Sequence, residues 1–176
     1  DQGVYLKKEG SGDELIRILA MDKVSQIDIL EQSNLILVLA DKILYTYSFD
    51  TLLSTESGMK RGRKISSHVS FFKVGKIWDK SIQATANAAS SDQQVITVDG
   101  IEKTLVCFVR YNAMTSTIRA LEPYETTKEA NKKKNKNLGR LIRGNNEALK
   151  AYKDLYIPGE ASSIQFFKNI ICVGSA

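Results

Sequence analysis

Histidine is almost absent from this chain of 176 residues, which contains a single one, His68. A metal centre built on several imidazoles, or a serine nucleophile activated by a histidine, would depend on that one residue. No GxSxG segment, the setting of the nucleophile in many hydrolases, occurs in the sequence. We therefore predict no catalytic residue, no metal site and no cofactor, and interpret His68 as a residue at the start of a strand that makes a structural hydrogen bond.

Cysteine is scarce as well. Cys107 lies in LVCFV and Cys172 lies in IICVG, and no CxxC pair or Cys/His cluster indicates a zinc site. A disulfide needs an oxidising compartment, for which nothing else in the sequence argues. The apolar runs around both residues favour two buried core thiols in a cytosolic protein.

Long apolar runs are also missing. No stretch approaches the roughly eighteen apolar residues that a membrane-spanning helix needs. The sequence has no initiator methionine, signal peptide or lipidation motif. Because it opens and stops inside strand-like patterns, GVYL and ICVG, we expect it to be a piece of a longer protein.

The formal net charge of +5 is unevenly distributed. Residues 128–153 contain nine Lys or Arg against two Glu, a local excess of +7, so that the remaining residues carry a net charge of −2. Two polar stretches, near residues 79–94 and 124–151, lack the pattern of a core and are predicted to be loop insertions. The basic charge therefore belongs to the second insertion, and the globular part is close to neutral.

The second insertion is the one place where the sequence suggests a binding surface. An anionic membrane lipid attracts each nearby Lys or Arg by about 1 kcal/mol. Nucleic acid is disfavoured, because the aromatic residues that stack on bases are missing between Glu125 and Ala151. A solvated loop without a ligand is the simpler alternative. The candidate contacts with an anionic surface are Lys132, Lys133, Lys134, Lys136, Arg140 and Arg143.

The clearest pattern of secondary structure runs from Val24 to Phe49 and reads VSQIDIL, EQSN, LILVLA, DK, ILYTYSF. In the last segment, apolar and aromatic residues alternate with Thr46 and Ser48, which is typical of a strand with one buried face. LILVLA has no polar position and indicates a strand covered on both faces. The connectors are too short for a crossover helix, so the segment predicts an antiparallel meander.

Similar patterns recur along the rest of the chain. Asp50 to Arg63 is polar and is predicted to be an exposed loop. HVSFFKVGKIW predicts a further strand with Val69, Phe71 and Val74 in the core. Asp99-Gly100, between two strand-like runs, predicts a hairpin turn.

Groups of short strands joined by tight turns predict an all-β fold, a β-propeller-like array of antiparallel meanders. At about 40 to 45 residues for a four-stranded blade, the length corresponds to roughly four blades. We therefore expect an incomplete portion of a larger propeller.

Three segments resemble the citron homology (CNH) domain, in the version at the C-terminal end of fungal Rho-type guanine-nucleotide exchange factors. They are the run from QGVYL to ILYTYSF, then ISSHVSFFKVG, and finally LYIPGEASSIQFFKNIICVGSA, together about half of the chain. The two insertions depart from the family's pattern. The resemblance makes residues 1–176 the N-terminal portion of a CNH domain.

This resemblance implies a seven-bladed propeller that is non-catalytic and acts as a protein-interaction or regulatory module. In the fungal factors the module follows the exchange domain and a lipid-binding pleckstrin homology domain, in proteins that activate a Rho-type GTPase during cell-wall construction. The implied partners are a component of the Rho GTPase pathway or other domains of the same exchange factor, and the implied location is the cytoplasm, with recruitment to the plasma-membrane cortex. Citron-type and germinal-centre-type kinases and a vacuolar tethering factor share the module and remain alternatives. IDILEQSNLILVLADK and SHVSFFKVG are more similar to the exchange factors.

Overall fold

The computed structural model describes residues 2–10, 12–54, 61–86, 96–124 and 148–176. Within these ranges the helical segments are α1 (Phe49–Leu53) and a 3₁₀ turn (Glu31–Ser33), and no helix is long and apolar enough to cross a membrane. The remaining elements are strands. They are β1 (Gly3–Leu6), β2 (Ile16–Ala20), β3 (Val24–Leu30), β4 (Leu35–Ala40), β5 (Ile43–Ser48), β6 (Arg63–Ser66), β7 (Val69–Ala86), β8 (Ile96–Tyr111), β9 (Thr115–Pro123), β10 (Leu149–Pro158), β11 (Ala161–Phe167) and β12 (Ile170–Ser175).

These strands form four sheets in which neighbours along the chain are also neighbours in the sheet. β1–β2 and β11–β12 are two-stranded, whereas β3–β4–β5–β6 and β7–β8–β9–β10 are four-stranded. Every pair with a defined register is antiparallel. The predicted all-β fold of antiparallel meanders is therefore confirmed.

The predicted meander is present as β3, β4 and β5, with β6 added at its edge. All six residues of β4 are buried, as the absence of polar positions in LILVLA predicts. β4 and β5 are joined by Asp41 and Lys42, whose φ angles are +48° and +62°. Positive φ at both central residues is the geometry of a type I′ hairpin, whose twist matches that of the flanking strands. Ala40 consequently pairs with Ile43, and the register continues to Leu35 and Ser48.

The predicted loop from Asp50 to Arg63 begins instead with the short helix α1. Leu52 is 1% exposed and belongs to the same core cluster as Val4 and Ile36. The Asn34 side-chain amide donates to Asp50 Oδ2 at 2.7 Å, which fixes the start of the helix. The loop prediction is wrong here because burial of one leucine outweighs the polar composition around it.

The hairpin turn predicted at Asp99-Gly100 is wrong, since both residues lie inside β8. Gly100 has a φ of +103°, and a Cβ at this position would lie 2.6 Å from Trp78 Nε1 and 2.7 Å from the Asp79 carbonyl oxygen. Glycine is thus needed for a close approach of β7 to β8 within the sheet. β7 also continues to Ala86, so the stretch near residues 79–94 starts as strand, and β10 begins at Leu149, inside the stretch 124–151.

Two core predictions are corrected in the same way. Val69 is buried as predicted, but the fully buried phenylalanine is Phe72, while Phe71 is half-buried. Cys107 is a buried thiol as predicted, whereas Cys172 is exposed. A run of apolar letters indicates a strand but does not say which of its two faces is covered.

The described chain divides into two compact units. One comprises Asp1–Phe72 with Phe108–Tyr111, and the other comprises Lys73–Cys107 with Asn112–Ala176. In the second unit, the turn between β10 and β11 is held by the buried Ser116, whose hydroxyl donates to the Gly159 carbonyl and accepts from the Ala161 N–H, both at 2.8 Å. These bonds fix where β11 and β12 begin.

Candidate docking surface

The basic residues that the sequence singles out lie outside the described residues. They are Lys132, Lys133, Lys134, Lys136, Arg140 and Arg143. His68 precedes β7 in an exposed position with a φ of +58°, and its side chain makes no hydrogen bond to the described residues, contrary to the prediction. In this part of the chain no group of three or more His, Cys, Asp or Glu side chains is placed to hold a metal ion.

Charged and aromatic residues alternate across the middle of β7. Because successive side chains of a strand point to opposite faces, Lys76, Trp78 and Lys80 share one face, and Ile77 and Asp79 share the other. Exposure follows this division, since the first three are exposed and the last two are buried. On the solvent-exposed face of β7, a tryptophan therefore lies between two lysines.

The same division holds on the neighbouring strand β8. Glu102 is exposed, with its carboxylate 3.5 Å from Lys76 Nζ, whereas the next residue, Lys103, is buried. A buried ammonium group needs a partner of opposite charge. Lys103 has two such partners on the buried face.

An ion-pair network on the buried face joins all four strands of this sheet. Lys103 Nζ lies 2.8 Å from Glu122 Oε2 on β9 and 3.6 Å from Asp79 Oδ2 on β7. Lys150 on β10 lies 3.5 Å from Glu122 Oε1. Two cations thus face two carboxylates, which offsets the cost of removing them from water.

Tyr152 completes this network from β10. Its hydroxyl donates to Asp79 Oδ2 at 2.9 Å, and its ring centroid lies 4.8 Å from Lys103 Nζ, within the range of a cation–π contact. Burial, followed by the hydrogen bond to Asp79, raises the pKa of Tyr152 to about 12. Since these groups satisfy one another, we interpret the network as structural, and its effect is to hold β7 firmly in the sheet.

The turn between β11 and β12 lies at the outer edge of β7. The backbone N–H of Trp78 donates to the backbone carbonyl oxygen of Lys168 at 2.7 Å. The ring of Phe166 packs directly against Gly75, where any Cβ would overlap it. The edge of β7 is therefore covered at these points by the turn, which also places Lys168 and Asn169 beside Trp78.

Between this turn and β7 lies an open cavity of about 400 Å³. It has three ammonium groups against one carboxylate, a local charge of +2, together with the indole of Trp78. Such a surface can hold a ligand that is both anionic and partly apolar. The cavity is lined by Lys76, Ile77, Trp78, Lys80, Glu102, Lys168 and Asn169.

Sequence reasoning missed this cavity. The alternation in KIWDK, residues 76–80, was the available signal, because it places two lysines on either side of a tryptophan on one strand face. Nothing local indicates that Lys168 joins them, since that contact depends on how β11 and β12 pack against β7.

Known proteins that share one domain family align with nearly the whole chain. The model of the CNH domain family matches residues 1–176. Rho1 guanine nucleotide exchange factors 1 and 2 of Schizosaccharomyces pombe (strain 972 / ATCC 24843) are 30% and 31% identical to it over 99% of its length. The chain spans 12% and 13% of the length of these relatives. The solved AfRom2 CNH domain is 29% identical with a TM-score of 0.64, over 99% of this chain and 43% of that one.

Proposed function

The chain belongs to the CNH domain family, and from this premise we propose that it is a non-catalytic interaction module that regulates a Rho-type guanine-nucleotide exchange factor. The observation that carries the proposal is the alignment of 99% of the chain with two Rho1 exchange factors. Both of these relatives are exchange factors, which favours this parent over a kinase or a tethering factor. Since the chain matches only about an eighth of each, we assign the exchange reaction to a different part of the protein.

The chemistry of the described residues supports a non-catalytic role. The buried charged groups around Lys103 are paired with one another on a closed face of the sheet. A general acid or base must reach a reacting atom of a substrate. Asp79 is buried and the Glu122 side chain is only 12% exposed, and both carboxylates are engaged by Lys103 instead.

Partners and location follow from the parent that we propose. The module would bind a component of the Rho GTPase pathway or another domain of the same exchange factor. In that way it would restrain or position the exchange activity. We place the protein in the cytoplasm, with recruitment to the plasma-membrane cortex during cell-wall construction.

For the domain organisation, we propose that residues 1–176 form the N-terminal portion of a CNH propeller, with loop insertions near residues 79–94 and 124–151. The 43% coverage of the solved CNH domain supports this portion of the fold. The hydrogen bond from the Tyr124 N–H to the Ala148 carbonyl, at 3.3 Å, supports the second insertion. Tyr124 and Ala148, which border residues 125–147, are therefore neighbours in space.

The test is to measure nucleotide exchange on a Rho-type GTPase, and the cellular location, for the whole factor with and without this region. We expect a changed exchange rate, a changed location, or both. An unchanged rate together with an unchanged location would contradict the proposal.

A second candidate function is binding of anionic lipid by the basic insertion, favoured by the local charge excess of +7 in residues 128–153. Co-sedimentation with anionic liposomes is expected to weaken when Lys132, Lys133, Lys134 and Lys136 are changed to Glu. Changing Lys7, Lys8, Lys42 and Lys64 to Glu, at four exposed positions outside residues 128–153, supplies a charge-matched control. Unaltered binding by the quadruple variant would exclude this function.

A further inference from the structure

We propose that the cavity beside Trp78 is a docking site for an extended acidic segment of a partner protein, in which carboxylates alternate with an apolar residue. This inference rests on the interaction role proposed above and names the surface and the chemistry of its partner. The site lies within one compact unit and is formed by β7, β8 and the turn between β11 and β12. None of the described residues that line it belongs to residues 128–153.

The charge of the cavity favours an acidic partner. Lys76 is paired with Glu102, with 3.5 Å between nitrogen and oxygen. Lys80 and Lys168 have no ion pair among the described residues. Two ammonium groups are therefore available for carboxylates of a ligand.

Exposed apolar side chains lie in the cavity and next to one of its cations, Lys168. Trp78 is 37% exposed, and Phe167 and Ile170, the last pair of β11 and β12 before the turn, are 61% and 50% exposed. Lys168 Nζ lies 5.1 Å from the Phe167 ring centroid, so its charge is held over this apolar surface. Aromatic side chains bordered by cations are suited to a partner that buries an apolar residue between two acidic ones.

The spacing on β7 favours an extended partner. Lys76, Trp78 and Lys80 follow one another every second residue on one face, so they are separated by about 6.6 Å along the strand. An extended peptide has the same repeat, because its alternate side chains also share a face. A carboxylate at position i and an apolar residue at i+2 would match Lys80 and Trp78, and a carboxylate at i+4 would have Lys168 on the other side of the cavity within the same site.

Glu102 and the absence of arginine among the described residues of the lining favour a peptide over a phosphate group. A carboxylate repels phosphate but accepts hydrogen bonds from the backbone N–H groups of a peptide. Phosphate sites often use the fork of arginine, which makes two parallel hydrogen bonds, whereas lysine acts as a single point charge.

The site is also held in place before any partner arrives. Trp78 is fixed through its backbone by Lys168, and a residue larger than glycine at position 100 would meet its indole. The ion-pair network around Lys103 anchors β7 on the opposite face. A surface that is already ordered loses little conformational entropy on binding, which favours affinity.

The test uses the whole protein that contains this chain, and two peptides labelled with tetramethylrhodamine. The acidic probe is Glu-Ser-Leu-Ser-Glu, and the matched control is Gln-Ser-Leu-Ser-Gln, with the same shape and no charge. Fluorescence anisotropy at low salt measures the two dissociation constants. The tested variant carries Lys80→Glu and Lys168→Glu. The charge-matched control carries Lys64→Glu and Lys153→Glu, at two exposed lysines outside the cavity.

We expect the acidic probe to bind about tenfold more tightly than the uncharged one, and the Lys80→Glu/Lys168→Glu variant to lose about tenfold in affinity, because two attractive charge contacts become repulsive. The Lys64→Glu/Lys153→Glu control should change affinity by less than about twofold. Equal losses in both variants, or no binding of the acidic probe by the whole protein, would overturn the proposal.

A second arm distinguishes a membrane from a peptide. Vesicles of phosphatidylcholine with phosphatidylserine are sedimented with the same proteins. Loss of vesicle binding in the Lys80→Glu/Lys168→Glu variant, with peptide binding unchanged, would assign the surface to lipid and overturn the proposal. If peptide binding fails while removal of the region still alters exchange or location, this inference fails and the interaction role stands. If removal of the region has no effect, the interaction role itself fails.

Discussion

Lys103 is the central residue of the ion-pair network in the β7–β10 sheet. Its ammonium group lies between Glu122 and Asp79, and Tyr152 packs against it from β10. It is 8% exposed, so water cannot replace a lost partner. Single side chains are expected to determine the stability of the protein, its pH dependence and the reactivity of its thiols.

The first residue-scale prediction concerns Lys103→Met. The substitution keeps the length of the side chain but leaves the carboxylates of Asp79 and Glu122 without their shared cation. Breaking a buried ion pair in this way is expected to lower the free energy of unfolding by about 3 to 5 kcal/mol. Denaturant unfolding measures the change, with the exposed Lys153→Met as the control. Equal stability of the two variants would mean that the network contributes nothing.

The second prediction concerns the Tyr152 hydroxyl at high pH. Its pKa is raised from 10.0 to about 12, so the folded protein favours the protonated phenol. The resulting stabilisation is complete below pH 10 and is lost as the pH rises from 10 to about 12. We therefore expect the stability difference between the unmodified protein and Tyr152→Phe to shrink across this window. A constant difference in denaturant unfolding from pH 9 to 12 would contradict the assignment.

The third prediction separates the two cysteines. Cys107 is buried, and burial raises the pKa of its thiol to about 12, whereas Cys172 is exposed. Because the thiolate is the reactive form, iodoacetamide should modify Cys172 in the native protein and Cys107 only after unfolding. Peptide mapping by mass spectrometry reads both sites, and Cys172→Ser supplies the control. Native modification of Cys107 at the same rate would show that its burial is wrong.

At the scale of elements, the decisive contacts are those that fix one strand pair against another. β11 and β12 form a separate two-stranded sheet, and a two-stranded sheet is only marginally stable alone. Phe166 against Gly75 and the Trp78–Lys168 hydrogen bond attach the pair to β7. The cavity exists because of this attachment.

The prediction at this scale is a double-mutant cycle on Gly75 and Phe166. Gly75→Ala places a methyl group into the Phe166 ring and is expected to destabilise the protein by about 1 to 3 kcal/mol, the usual range for overpacking. In the Phe166→Ala background the same change should cost much less, because the ring is gone. Denaturant unfolding of the four proteins gives the coupling energy. Additive effects would mean that the two residues are not in contact.

At the scale of the whole molecule, the positive charge of the chain is concentrated in one stretch of the sequence. The described sheets carry the core, the buried network and the cavity. The excess positive charge lies in residues 128–153, most of which are outside the described residues. Tyr124 and Ala148, which border residues 125–147 on the two sides, are joined by a backbone hydrogen bond.

The prediction at this scale replaces residues 126–146 with a short Gly/Ser linker. Since Tyr124 and Ala148, each one residue outside a junction, are hydrogen-bonded to each other, a few residues can close the gap. The free energy of unfolding should be unchanged or rise by about 1 kcal/mol, because a shorter loop loses less entropy on closure. Denaturant unfolding measures this change. Inserting the same linker within β9, where it would interrupt the pairing of β9 with β10, serves as the damaging control. A loss of several kcal/mol in the first variant would mean that the replaced residues are part of the fold.

The sequence by itself determined the all-β class and the meander from β3 to β5. These features depend on local rules: alternation with a period of two, an apolar run for a strand covered on both faces, and a two-residue turn at Asp41-Lys42. The segments that resemble the CNH domain could also be recognised from the sequence alone, because each is a continuous stretch of the chain. The family match over residues 1–176 confirms them.

Tertiary structure alone decided which side chains meet. Asp99-Gly100 reads locally as a turn but lies within β8, because β7 continues beside it. Asp79, Lys103, Glu122 and Tyr152 come from four strands, and no local pattern joins them. Trp78 and Lys168 are likewise far apart in the chain, and their cavity forms only when β11 and β12 pack against β7. Local periodicity fixes the direction of a side chain, but its partner is fixed by the packing of elements that are distant in sequence.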